Sequence, residues 1–176
     1  MSKEAALAQL DDSRSQNNVK GIDISGLDLT QCDISETSTE MLKGERVILR
    51  GGILYQVISP NADFSYAKLS ASSCNESDFS SCEFDYANLW ASTFVGSHLS
   101  DATMSYVEAA DAFFDDANLT NADLSNGNFT GTVFRKTNLT DADLSHGNFR
   151  DCDFTGAILT GVCWDGAILK NAKIDR

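Results

Sequence analysis

Residues 118–129 read NLTNADLSNGNF, and residues 138–149 read NLTDADLSHGNF. The two segments are near copies at an offset of twenty residues, and each contains a shorter repeat of five. Large apolar residues recur at positions 119, 124, 129, 134, 139, 144, 149 and 154, and a small residue stands two positions before each. A period of five belongs neither to an α-helix nor to a β-strand. It predicts a chain that turns a corner every five residues, so that four sides make one coil of twenty.

The five-residue pattern extends over most of the chain. From Phe64 to Ile174 there are 23 consecutive units with an apolar central residue, and nine of the ten phenylalanines are centres. We expect the coils to stack as parallel ladders about 4.8 Å apart. The centres and the small residues then point inward and fill a narrow core, as in other solenoids.

The pattern is weaker between residues 22 and 60. Thr39 and Gly44 stand where large apolar residues are due, and an apolar stretch follows at 47–58. That stretch can be interpreted as an inserted hairpin with Gly51 and Gly52 at its turn. It can also be interpreted as continuous but distorted coils, because Leu49 and Leu54 stay on the five-residue repeat. The phase kept across the segment favours the coils.

The N-terminus has a different pattern. Ser2 is a suitable helix cap, Glu4 suits the positive end of a helix dipole, and Ala6, Leu7 and Leu10 form a thin apolar stripe. We predict a short helix over 2–12, followed by a connector over 13–20. The helix needs a surface to pack on, because an isolated helix of this length is marginal.

Units such as 117–121 (ANLTN), 122–126 (ADLSN), 142–146 (ADLSH) and 157–161 (AILTG) resemble the A(D/N)LXX unit of the pentapeptide-repeat family. The resemblance covers 62–174 strongly and 22–60 with gaps. It implies an all-β fold, a right-handed quadrilateral parallel β-helix of about 20 residues per coil, here with a short N-terminal α-helical cap. The expected organisation is a helix and connector at 1–20 and a β-helix at 21–176, irregular over 35–60. The family implies no shared catalytic residues, cofactor or metal.

Composition limits the classes of function. The 176 residues carry a formal net charge of −13 and a pI near 4.3, which argues against direct binding to nucleic acid or to an anionic membrane. The sequence has no signal peptide pattern and no apolar run long enough to span a bilayer. Five cysteines, odd in number and without Cys-x-x-Cys spacing, favour a reducing compartment. We therefore expect a cytoplasmic protein.

One side of the predicted coils carries a candidate partner-binding strip. The residues just before its centres include four carboxylates, Asp63, Glu83, Asp123 and Asp143. Tyr66, Tyr86 and Tyr106 follow the centres in three consecutive coils of the same side. Tyrosine favours interfaces, so the strip is a candidate site for a protein with a basic surface. The alternative is purely structural: acidic residues are ordinary before the centre of this repeat, and stacked tyrosines stabilise neighbouring coils.

Other side chains give weaker indications of a site. Trp90 and Phe113 point outward but suit local packing. His98 and His146 fall on different sides, and no nucleophile, phosphate-loop or metal motif accompanies them. The acidic pairs Asp115/Asp116 and Asp141/Asp143 suit solvated corners better than acid–base catalysis. Cys163 is the one cysteine expected to face outward.

These observations predict a non-catalytic, acidic, rod-like protein-interaction module. The family resemblance supplies an alternative, because some members mimic B-form DNA and bind a type II topoisomerase, DNA gyrase, inhibiting or protecting it. This chain has neither a loop that breaks the phase after residue 60 nor the C-terminal helix by which such members dimerise. An enzyme is the third and least favoured class.

The last coil is a candidate dimer end. An open coil exposes core residues and unpaired strand edges, which favours association with another chain. Nothing in the sequence covers Trp164, Leu169 and Ile174. We therefore expect a homodimer through the C-terminal coil.

Overall fold

The computed structural model describes residues 1–16 and 19–175. It contains one helix, α1 (Lys3–Ser15), and two short parallel strands, β1 (Val19–Lys20) and β2 (Thr39–Glu40). The rest of the described chain is built from isolated parallel bridges, each joining residues twenty apart, from Asp23–Lys43 to Asp153–Lys173. The molecule is therefore a repeat β-helix with little continuous strand.

A turn at every fifth residue explains why the strands are so short. The carbonyl of Phe64 accepts a hydrogen bond from the N–H of Ala67 at 3.0 Å, and Tyr66 between them has a φ of 59°. A positive φ at the third residue is the mark of a type II turn. On each side of the turn the backbone pairs with neighbouring coils: Asp63 N–H donates to Leu42, and Phe64 N–H donates to Glu83. One bridge per side is all that a five-residue period allows.

Two residues of every five point inward, as the repeat predicts. The central phenylalanines lie above one another in columns, and in one column Phe94, Phe114, Phe134 and Phe154 stack with ring centroids 5.0–5.4 Å apart. All four side chains are fully buried. Burial of each contributes about 1.5–3 kcal/mol before conformational entropy is counted.

Bridges with the twenty-residue spacing continue through 35–60. Ile48 pairs with Asp28 and Lys68, and Ile53 pairs with Asp33 and Ser73, so these residues join successive coils rather than each other. The sequence departures have local compensations. A Cβ at Gly44 would lie 2.8 Å from the ring of Phe64, so that ring occupies the space a larger residue would need.

Thr39 illustrates a second kind of compensation. Its hydroxyl lies 2.5 Å from that of Ser59, which holds the same position one coil later, and both residues are buried. Each polar side chain satisfies the other, so a pair of them is tolerated in an otherwise apolar column.

Helix α1 begins as predicted, with the Ser2 hydroxyl accepting a hydrogen bond from the N–H of Ala5 at 3.2 Å. It ends at Ser15 rather than at residue 12, so the predicted C-terminal boundary is wrong. Tertiary contacts extend it: Arg14 donates hydrogen bonds to the carbonyls of Ser35 and Asp33 at 2.8 and 2.9 Å. Ala6 and Leu10 are buried against the first coil of the core. Residues 17 and 18 of the predicted connector lie outside the described residues.

The neighbours Phe113 and Phe114 provide a test of the register. Phe114 is fully buried, whereas Phe113 points outward and is 40% exposed. We expect Phe114→Ala to lower the free energy of unfolding by about 3–5 kcal/mol. We expect Phe113→Ala to lower it by less than about 1 kcal/mol. Urea denaturation followed by circular dichroism measures both, and similar losses for the two variants would contradict the register.

Candidate functional site

The three tyrosines form a continuous outward stack, which we call the tyrosine ladder (Tyr66, Tyr86 and Tyr106). Consecutive ring centroids are 5.0 Å apart with planes inclined by 4°. Each side chain is 45–50% exposed. The guanidinium of Arg46 covers the first ring, 5.1 Å from its centroid. Apart from the outer face of Tyr106, the ring faces are therefore covered, and the ring edges and hydroxyls are presented to solvent.

The ladder stands at an unusual backbone position. All three tyrosines have a φ of 58–59°, a conformation that glycine and asparagine accept more readily than a bulky side chain. Asn126 holds the same corner in the next coil. The geometry costs each tyrosine about 1 kcal/mol, and the stacking and cation–π contacts offset part of that cost.

The acidic column (Asp63, Glu83, Asp123 and Asp143) forms one ladder of bridges together with Thr103. Its aspartates are half-buried, and each accepts a hydrogen bond from a backbone N–H two residues later. Burial alone would raise the pKa of Asp143, but hydrogen bonds from Ser145 keep that pKa below its ordinary value. Only Glu83 is exposed. The aspartates thus brace the corners, and Glu83 is the member whose side chain is open to solvent.

Sequence reasoning missed Asp85, which lies beside Tyr86 on the same side. Its Oδ1 accepts hydrogen bonds from both the N–H and the hydroxyl of Ser105 in the next coil, each at 2.9 Å. Asp85 follows a central residue, Phe84, whereas the acidic column consists of residues that precede the centres.

Charge is distributed unevenly along the coils. The central segment (residues 69–134) contains ten Asp and Glu residues and no lysine or arginine. The segment 1–68 contains seven lysines and arginines, and 135–176 contains six. Most of the net charge of −13 therefore lies in the central segment, which carries two of the three ladder tyrosines.

The remaining candidates lie apart from the ladder. Trp90 is 52% exposed. The backbone of Phe113 forms parallel β-bridges with Thr93 in the preceding coil and Val133 in the following one. Asp115 is half-buried rather than solvated as expected, and it accepts a hydrogen bond from Arg135 at 2.8 Å. Within residues 1–16 and 19–175, no group of three or more His, Cys, Asp or Glu side chains is arranged to hold a metal ion.

The cysteines divide into buried and accessible thiols. Burial raises the pKa of Cys74, Cys82 and Cys152 to about 12 in each case. The thiols of Cys82 and Cys152 also donate to backbone carbonyls of the preceding coil. Cys32 is half-buried, and Cys163 is exposed, as its position predicts.

The last coil is less covered than the others. Trp164 packs edge-on against Phe149 and Phe154, with centroids 6.3 and 5.6 Å away. Leu169 is half-buried and Ile174 is 39% exposed. In earlier coils the backbone N–H of each central residue donates to a carbonyl of the following coil. The N–H groups of the central residues Trp164 and Leu169 have no such acceptor among the described residues. Arg176 lies outside those residues.

Comparison with known proteins identifies the family. A model of pentapeptide repeats matches in overlapping copies from residue 62 to residue 176. The chain belongs to the pentapeptide-repeat family. No curated protein sequence matches the chain at a significant level.

Two solved structures of trypsin-treated QnrB1 variants share the fold of this pentapeptide-repeat protein. A trypsin-treated variant of QnrB1, a plasmid-mediated fluoroquinolone resistance protein, is 19% identical with a TM-score of 0.68, over 88% of this chain and 83% of QnrB1. A second trypsin-treated variant is 18% identical with a TM-score of 0.66, over 91% of each chain. HetL, a pentapeptide repeat protein from Nostoc sp. strain PCC 7120, is 20% identical with a TM-score of 0.30, over 99% of this chain and 100% of HetL.

The one helix in the described part of the chain is too short and too polar to cross a bilayer.

Proposed function

We propose that this protein is a non-catalytic, acidic, rod-like interaction module whose partner is a protein with a basic surface. The exposed tyrosine ladder, which runs into the acid-rich central segment, is the observation that carries the proposal. Tyrosine edges and hydroxyls supply large contact area with little conformational entropy to lose. The surrounding carboxylates attract a basic partner and exclude acidic ones.

The proposed scaffold is a right-handed quadrilateral β-helix over 21–176, closed at its N-terminal end by helix α1. The burial of Ala6 and Leu10 and the hydrogen bonds from Arg14 to Asp33 and Ser35 support the role of the helix as a cap. The free thiols fit a reducing compartment, so we place the protein in the cytoplasm.

A capture experiment tests the tyrosine ladder. The triple variant Tyr66→Asn, Tyr86→Asn, Tyr106→Asn removes the rings while keeping a residue that accepts a positive φ. We expect this variant to keep its thermal midpoint but to lose the partner that the wild-type protein captures from the source cell. The control Trp90→Asn removes an equally exposed aromatic ring elsewhere, and it should capture the partner normally. Unchanged capture by the triple variant would contradict the proposal.

A DNA mimic that binds DNA gyrase is the second candidate. The segment 69–134 supports it, since its ten acids are accompanied by no lysine or arginine and phosphate-binding surfaces recognise negative charge along a rod. We expect inhibition or protection in a gyrase supercoiling assay at about micromolar protein. If supercoiling and drug-induced cleavage are both unaffected at that concentration, this candidate is removed while the general interaction proposal stands.

We also propose that two chains associate end to end through the C-terminal coil. The partial exposure of Trp164, Leu169 and Ile174, together with the open N–H groups of that coil, supports this contact. Light scattering should show a dimer that Ile174→Asp dissociates. Ile158→Asp, on an outward side of the last coil and 50% exposed, should leave it intact. A wild-type monomer at high concentration would rule out this interface.

A further inference from the structure

A groove of about 360 Å³ lies beside the base of the tyrosine ladder. We call it the basic groove; it is lined by Arg46, Arg50, Tyr66, Ala67, Lys68, Tyr86 and Asn88. Three of its residues are cationic and none is acidic, although the protein as a whole carries a net charge of −13. The charge of the groove is therefore opposite in sign to that of the surface that the proposed function uses.

The cations of the groove are only partly neutralised. Arg46 pairs with Glu45 at 2.5 Å. Within residues 1–16 and 19–175, neither Arg50 nor Lys68 forms an ion pair. Hydrogen bonds from Thr30 are the main reason that the pKa of Asp28 lies below its ordinary value, and the positive charges of Lys3 and, to a smaller extent, Arg50 add to that effect.

The other lining groups also favour an anion. Asn88 accepts a hydrogen bond from the N–H of Trp90 through its carbonyl oxygen, at 3.1 Å, which leaves its amide group to donate elsewhere. The faces of Tyr66 and of Tyr86 are covered by Arg46 and by neighbouring rings. The groove therefore meets ring edges, which carry the positive part of the aromatic quadrupole.

The extent of the positive region limits the size of the ligand. The column of bridged residues that contains Lys68 runs Asp28, Ile48, Lys68, Asn88, Glu108. Acids thus lie two coils away on both sides of Lys68, about 10 Å each way at one coil per 4.8 Å. A nucleic acid or a membrane surface would extend over those acids and be repelled, whereas a compact anion would not.

We propose that the basic groove is a binding site for a small multivalent anion that carries phosphate or carboxylate groups. The planar guanidinium of Arg50 donates hydrogen bonds to one anionic group of the ligand. Lys68 and the side-chain amide of Asn88 contact a second anionic group. Arg46 closes the groove from the corner while it remains stacked on Tyr66. The site does not depend on the partner-binding role of the ladder.

Calorimetric titration at low salt tests the site, with pyrophosphate as the phosphate probe and citrate as the carboxylate probe. We expect one molecule to bind per chain with a dissociation constant of about 1 mM or lower. Binding of pyrophosphate alone assigns phosphate ligands, binding of citrate alone assigns carboxylates, and binding of both supports the shared chemistry.

Charge-removal variants distinguish a built site from general attraction. Arg50→Ala with Lys68→Ala should weaken binding at least about tenfold. Arg150→Ala is the matched control, because Arg150 holds the same position of the repeat as Arg50, five coils further along, and contacts Asn148 instead. It should bind as the wild type does. The proposal would be overturned if neither probe bound at about 10 mM, or if the double variant and Arg150→Ala lost affinity equally. It would also be overturned if polyglutamate bound while pyrophosphate and citrate did not.

Discussion

A turn every five residues is the constraint on which the rest of the structure depends. It forces a left-handed backbone conformation at one position in five, with φ between 52° and 72° from Gly21 to Asn171. It also returns the chain to the same place after twenty residues, so that the coils pair through single bridges. Each side of the coil is too short for the intrinsic β-propensity of its residues to stabilise a strand. Stability comes instead from the columns that the return creates, because buried rings contact rings of the coils above and below.

The core could be predicted from sequence because the turn restricts it to two positions in five. Apolar centres and small partners are spaced so regularly that the sequence alone predicted the column of Phe94, Phe114, Phe134 and Phe154. The sequence showed that Thr39 and Gly44 depart from the repeat, but it did not show which residues compensate for them. Their compensations come from Ser59 and Phe64, which lie twenty residues away in the next coil. Single-residue reasoning cannot find a complementarity shared between two coils.

The C-terminal boundary of helix α1 shows a different limit. The sequence predicted a helix over 2–12 and a connector over 13–20. The helix continues because Arg14 reaches carbonyls of the first coil and Ser13 is buried. Tertiary contact thus outweighs propensity, as it commonly does at helix ends. The same limit applies to the candidate site. Columns predicted the tyrosine ladder, whereas the basic groove crosses two sides of the coil and joins residues of three coils.

Columns also explain why the shared fold says little about the partner. An outward residue can change without removing a core contact, since the turn and the inward pair carry the five-residue repeat. Chains that are only 18–19% identical can therefore keep the same coil although most of their residues differ. In this chain the tyrosine ladder is the column that departs furthest from what the turn prefers, because bulky residues occupy three successive positive-φ corners. Packing alone does not require them there, since Asn126 and His146 serve the same corners in later coils. The three tyrosines thus keep a costly backbone conformation at corners where smaller residues suffice, and this is the structural reason for the binding role proposed for them.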